Sequence, residues 1–256
     1  MVDMSTQTLE VTLLPKTQQQ NIAAMGGVLV ANKPVVGGYL ADGRPSSSLF
    51  YWSHSHFTND FEFGLHSHEG FEIITVVLDG ANSHFDTATR KWADLVGDDV
   101  QIIASGSGVS HNERVAKGTH AFQIWFDPNF YQALQVPPTY QDHLASTFTW
   151  AQQDGFSVKD IVGGAGPVDA TTAGLAIRRV RINPDSVATL VVSPDDIAFC
   201  YVIEGTASIA GVQAQLDDLV TVANALQLVA AAGSEGADVF VITLPQQPSY
   251  TPVRGR

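Results

Sequence analysis

The chain has 256 residues, 45% of them hydrophobic and 15% charged, and its 13 basic and 26 acidic residues leave a formal net charge of −13. That length suits one large domain or two medium ones with ample core material, and a negative field of that size repels phosphate backbones, so direct nucleic-acid binding is not expected. The single cysteine, Cys200, cannot form an internal disulfide, which fits a reducing, cytoplasmic setting. The N-terminal stretch lacks a basic leader followed by an apolar core, and no apolar run approaches the ~20 residues of a membrane helix.

In chain order, strand signals dominate. The segments LEVTLL (9–14), EIITVVL (72–78), VQIIA (100–104) and AFQIWF (121–126) are short and rich in β-branched or aromatic residues, and Gly, Asp, Asn, Pro or Ser mostly bound them. The same holds for ATLVVS (188–193), AFCYVIEG (198–205), LVTVA (219–223), LQLVAA (226–231) and DVFVITL (238–244). Many short strands predict an all-β sandwich or barrel architecture. Helical periodicity is weak, with short helices expected at most over NFYQALQV (129–136) and TYQDHLASTF (139–148). A seam begins at Pro137-Pro138 and ends near Gly163-Gly164. It separates two strand-rich halves that echo each other, and we expect two β domains, 1–140 and 141–256. All eight histidines lie at or before His143, so only the first half offers imidazoles.

The tripeptide His-Ser-His occurs twice, at His54–His56 and His66–His68. Residues i and i+2 of a strand project to one face, so either copy could present two imidazoles to one metal. The second copy is followed by an apolar strand through Leu78, the turn Asp79-Gly80, and the Gly-rich stretch Ser105–Gly108. That stretch opens onto His111-Asn112-Glu113, a second pair with period-two spacing. Three neutral imidazoles and one carboxylate suit a first-row divalent ion and leave two positions of an octahedron open. The pattern favours Fe(II), with Mn, Ni, Cu or a closed Zn site as alternatives. Glu72 shares parity with His68 and competes with Glu113 as the carboxylate. His54-Ser55-His56 has no matching second pair and reads as a strand or loop flanking the site. His84, His120 and His143 read as isolated strand or surface residues, and Cys200 as a small buried apolar residue. Neither SGSGVS nor VGGAGP carries the lysine of a phosphate loop, and no G-x-S-x-G occurs.

These residues resemble the pirins, a bicupin family with the signature H-P-H-R-G-F-E-x-x-T, an acid-Gly turn, G-D-V-Q and G-S-G-I-x-H-x-E. Here the stretches are His66–Thr75, Asp79-Gly80, Asp99-Val100-Gln101 and Gly106–Glu113, followed by Phe122–Phe126 and Pro137-Pro138-x-Tyr140-Gln141. The resemblance is specific over about 62–141. It implies two cupin β-barrels, with one metal in the N-terminal barrel held by His66, His68, His111 and Glu113. It also implies a quercetin 2,3-dioxygenase-type activity on a small aromatic, flavonol-like substrate with dioxygen, Glu113 serving as both ligand and base. The alternative it carries is a metal-binding regulatory bicupin that contacts a protein partner without turnover. Ser67 and Glu69 stand where the signature has Pro and Arg.

Overall fold

In the computed structural model, which describes residues 8–255, β-branched and aromatic runs form strands throughout. Helical structure is confined to one turn at Phe130–Ala133 and three 3-10 turns, Lys16–Gln18, Met25–Gly27 and Ala145–Thr147. The fold is all-β, as the composition of the runs predicts. The chain gathers into two compact units, each assembled from three segments. One holds residues 8–15, 150–164 and 174–247, and the other 16–149, 165–173 and 248–255. The sequence suggested a single division after residue 140.

Eight strands position the histidines of the second unit: β1 (Leu49–Phe57), β2 (His66–His68), β3 (Glu72–Asp79), β4 (Ala81–Asp86), β5 (Val100–Ala104), β6 (Val109–Val115), β7 (His120–Phe126) and β8 (Thr139–His143). An eight-stranded sheet runs β8-β5-β3-β7-β1 and continues through Leu29–Val36 to Gln20–Ala24, with Tyr39–Leu40 paired to Leu29–Val36. A five-stranded sheet centres on β6, flanked by β4 on one side and by β2 and Phe61–Glu62 on the other. All these pairings are antiparallel, so each strand can bury one face and expose the other. Phe50, Phe71, Ile73, Ile103, Val109 and Phe130 form one buried cluster of this unit.

Two local expectations change. Residues 66–78 are not one strand: β2 pairs β6 in the smaller sheet and β3 pairs β5 and β7 in the larger. The break falls at Gly70, which has φ +72°, and a Cβ there would collide with the Phe130 ring. Parity counted from His68 therefore does not carry into β3. The segment 139–148 is helical only in the 3-10 turn Ala145–Thr147. Thr139–His143 pairs with β5 from Val100↔His143 to Ala104↔Thr139, because the unpaired edge of β5 offers it a ladder that outweighs a short helix.

The other unit is a nine-stranded antiparallel sheet built around two long strands, Asp196–Ile209 and Gln227–Pro245. Their register shifts at Val202/Glu204 and Gly205/Ala207, and such bulges bend the strand that carries them. The core contains Val180, Cys200, Val202, Ile209, Val220 and Val239. The Cys200 thiol is fully buried there, and burial pushes its pKa up to about 12.

Candidate metal centre

Strand β6 alternates cleanly: Val109, His111, Glu113 and Val115 are buried, whereas Ser110, Asn112 and Arg114 face outward. Its ladders set His66 of β2 and Asp86 of β4 opposite His111, and His84 of β4 opposite Glu113. Side chains directly opposite on one face come within contact range, so one layer of the unit collects three histidines, Glu113 and Asp86. The glycine turn before β6 is tight for a physical reason. Gly106 has φ +53°, and a Cβ on it would lie 2.6 Å from the Val136 carbonyl oxygen.

His66, His68 and His111 each offer a ring nitrogen within 4.8 Å of the others. Their ring centroids are 4.3 Å (His66–His111), 4.7 Å (His68–His111) and 5.0 Å (His66–His68) apart. The Nε2 atoms of His68 and His111 are 2.9 Å apart, so at most one of them carries a proton. His66 Nδ1 lies 2.9 Å from the Gly64 carbonyl oxygen. A carbonyl only accepts, so Nδ1 donates and Nε2 keeps its lone pair. Burial, reinforced by the neighbouring His66, lowers the His68 pKa to about 4; burial, with His68, His66 and His84 nearby, lowers that of His111 to about 2. Both are neutral at pH 7, as ligand imidazoles must be. His111 is buried while His66 and His68 are half-buried, so the group opens on the β2 side. This donor set fits a first-row divalent ion.

Glu113 is also buried, and that burial raises its pKa against the lowering effects of His66, Asn82 and Gln123. Gln123 Nε2 donates to its Oε2 at 3.4 Å. Its oxygens are not part of that group of ligand atoms lying within 4.8 Å of one another. Glu113 instead lines a partly open cavity of about 90 Å³, shared with Tyr51, Ser53, Ser55, Thr75 and Gln123. The competitor, Glu72, is fully engaged elsewhere. Oε1 accepts from the Thr171 amide (2.7 Å) and hydroxyl (2.9 Å), and Oε2 from the Thr172 amide (3.0 Å) and hydroxyl (2.7 Å).

His84 is neither isolated nor at the surface. It is buried with its Nε2 3.4 Å from Asp86 Oδ2, stacks on Tyr140 at 4.8 Å, and lies 5.2 Å from the His111 ring. Tyr140 donates its hydroxyl hydrogen to Asp142, and Gln101 Nε2 lies 3.1 Å from the Tyr140 oxygen. This polar layer behind His111 was missed in the sequence. The signal was the i, i+2 spacing of His84 and Asp86 in a strand, and of Tyr140 and Asp142 in a segment read as helix. His54-Ser55-His56 also needs correcting: it does have a partner, since β7 brings His120 beside it, and the three ring nitrogens lie within 4.8 Å of one another. The distance in sequence, 64 residues from His56, hid that pairing.

Residues 43–126 match the family model described as Pirin. A "Pirin-like protein" of Solanum lycopersicum is 31% identical over 148 residues, 56% of this chain and 50% of that one. A "Quercetin 2,3-dioxygenase" of Escherichia coli O157:H7 is 24% identical over 189 residues, 72% of this chain and 76% of that one. The chain spans about a third to a half of the length of the first relatives it matches. Among solved structures, the bacterial pirin YhhW of Escherichia coli in complex with nickel(II) superposes with a TM-score of 0.76 at 19% identity, covering 92% of this chain and 99% of that one. Among the described residues, no helix is long and apolar enough to cross a membrane.

Proposed function

We propose that this chain, whose residues 43–126 match the Pirin family model and whose fold matches a bacterial pirin, is a pirin-like metal-dependent dioxygenase of the quercetin 2,3-dioxygenase type, acting with dioxygen on a small aromatic, flavonol-like substrate. The observation that carries this reading is the group of three imidazoles, two of them held neutral by burial, beside a buried carboxyl whose pKa is raised. His66, His68, His111 and Glu113 would hold the metal, with Fe(II) favoured and Mn, Ni, Cu or Zn as alternatives. Bound there, the metal supplies Lewis-acid and redox chemistry toward a substrate hydroxyl and dioxygen.

The rest is done by the chain's own residues. The raised pKa of Glu113 makes it a competent acceptor for a phenolic proton and a donor for its return. Trp125 sets its ring edge-on to His68 at 4.8 Å and stacks with Phe50 at 6.4 Å, giving that imidazole an apolar wall. The cavity beside Glu113, of about 90 Å³, is well below the ~300 Å³ at which ligand pockets begin. A flavonol therefore docks from the half-exposed His66 and His68 side, past the exposed Leu65 and Glu69.

The test is aerobic incubation of the Fe(II)-loaded protein with quercetin. Loss of the flavonol absorbance is expected, and it disappears in His111→Ala. Glu113→Gln should lower turnover by about 100-fold or more, the usual worth of a general base. Unchanged absorbance with Fe, Mn, Ni, Cu and Zn forms alike would refute the substrate. A folded protein that takes up no metal would refute the enzyme.

A further inference from the structure

The second imidazole group sits on the opposite face of β1 from the cavity beside Glu113. Strand alternation fixes this: Ser53 and Ser55 line the cavity, so His54 and His56 project from the other side. On that face β7 places His120 directly across from His56 and Phe122 across from His54. The His56 and His120 rings are 3.9 Å apart between centroids, His54 and His56 4.5 Å, and His54 and His120 6.4 Å. The His54–His120 pair is wider than any in the His66 group, whose centroids span 4.3 to 5.0 Å, yet in both groups a ring nitrogen of each histidine lies within 4.8 Å of the others. Phe122 packs against His54 at 4.9 Å and holds it on that face. His54 is buried, whereas His56 and His120 are half-buried, so the group has a rigid inner donor and two outer donors that solvent ions can reach.

We propose that His54, His56 and His120 form a second metal site, distinct from the His66 group, that binds a borderline divalent ion of the zinc class. The donor set is what selects the ion. Three imidazoles with no carboxylate among them suit Zn(II), Ni(II) or Cu(II) rather than the oxygen-seeking Mg(II) or Ca(II). Three protein ligands leave a coordination position for water. Both outer donors lie on paired strands, so the ladder between β1 and β7 fixes their separation before any ion arrives.

The experiment separates this site from the one behind the proposed function. Chelator-stripped protein is titrated with Zn(II) and, for its visible bands, Co(II). The wild-type chain should bind two ions, and His56→Asn or His120→Gln should bind one. A chain carrying His66→Ala and His111→Ala should still bind one, with the absorption of a histidine-rich site, and lose it when His120→Gln is added. A wild-type chain that binds a single ion, retained in His120→Gln, overturns the second site without touching the first. Circular dichroism melts of each variant identify any misfolded chain. If the double variant misfolds, the single exposed-face variants decide the matter alone.

Discussion

Burial holds His68 and His111 below the ordinary histidine range, and this makes the metal-free protein sensitive to acid. The unfolded chain takes up protons on these imidazoles as pH falls through about 6.5, whereas folded His68 resists to about 4 and folded His111 to about 2. In that window the unfolded state binds more protons, so stability present above pH 6.5 is lost as pH falls. Glu113 acts in the opposite sense, because its raised pKa lets the folded chain keep a proton above 4.5. Burial lowers His84 too, so three imidazoles outweigh one carboxyl. The urea midpoint of the metal-free chain should therefore be lower at pH 5 than at pH 7.5; an equal or higher midpoint at pH 5 contradicts the assignment. Glu72 supplies a second test. Glu72→Ala leaves the amides and hydroxyls of Thr171 and Thr172 without their acceptor and should cost about 3 kcal/mol in urea unfolding. Its metal content should stay at the wild-type level; metal lost from a folded Glu72→Ala chain would make Glu72 the ligand instead.

At the scale of elements, what the sequence revealed and what it hid have separate physical causes. The ligand strand β6 was legible because His111 and Glu113 follow period two just after the Gly106–Gly108 turn. The strand from His66 was misread past Gly70, since one left-handed residue ends the alternation and hands the chain to another sheet. That is why parity admitted Glu72 as a competitor. The Thr139–His143 strand was hidden because its stability comes from β5, almost forty residues earlier, and local periodicity cannot report a distant ladder. The same limit hid His120 from His56. Gly70→Ala tests the break directly. The added methyl meets the Phe130 ring at a φ of +72°, which should cost about 1–3 kcal/mol. Because Gly70 lies two residues beyond His68, the variant should also bind metal more weakly than wild type in a titration. An unchanged stability and affinity would show that the turn has room to give.

For the whole molecule, the contrast between the two units bears on function. One collects all the histidines; the other is lined by Val180, Leu190, Ile209 and Val239, with a thiol too buried and too weakly acidic to ligate. Metal should therefore stabilise one unit selectively. An ion present at about 100 times its Kd adds ~2.7 kcal/mol to the state that binds it. Hydrogen exchange with and without Zn(II) should show slower exchange in β2, β6 and β7, and none of that gain in Asp196–Ile209 or Gln227–Pro245. Equal protection in both units would place the ion elsewhere. The halves echo each other in sequence because both build bent antiparallel sheets, yet chemistry follows only where the alternation puts imidazoles inside.

The most direct measurement is metal analysis of the anaerobically Fe(II)-loaded chain carrying His56→Asn, so that only the His66 group is counted. The predicted result is one iron per chain, falling to none when His111→Ala is added. A folded chain that binds no iron, or one that keeps its iron without His111, contradicts the site on which the proposed function depends.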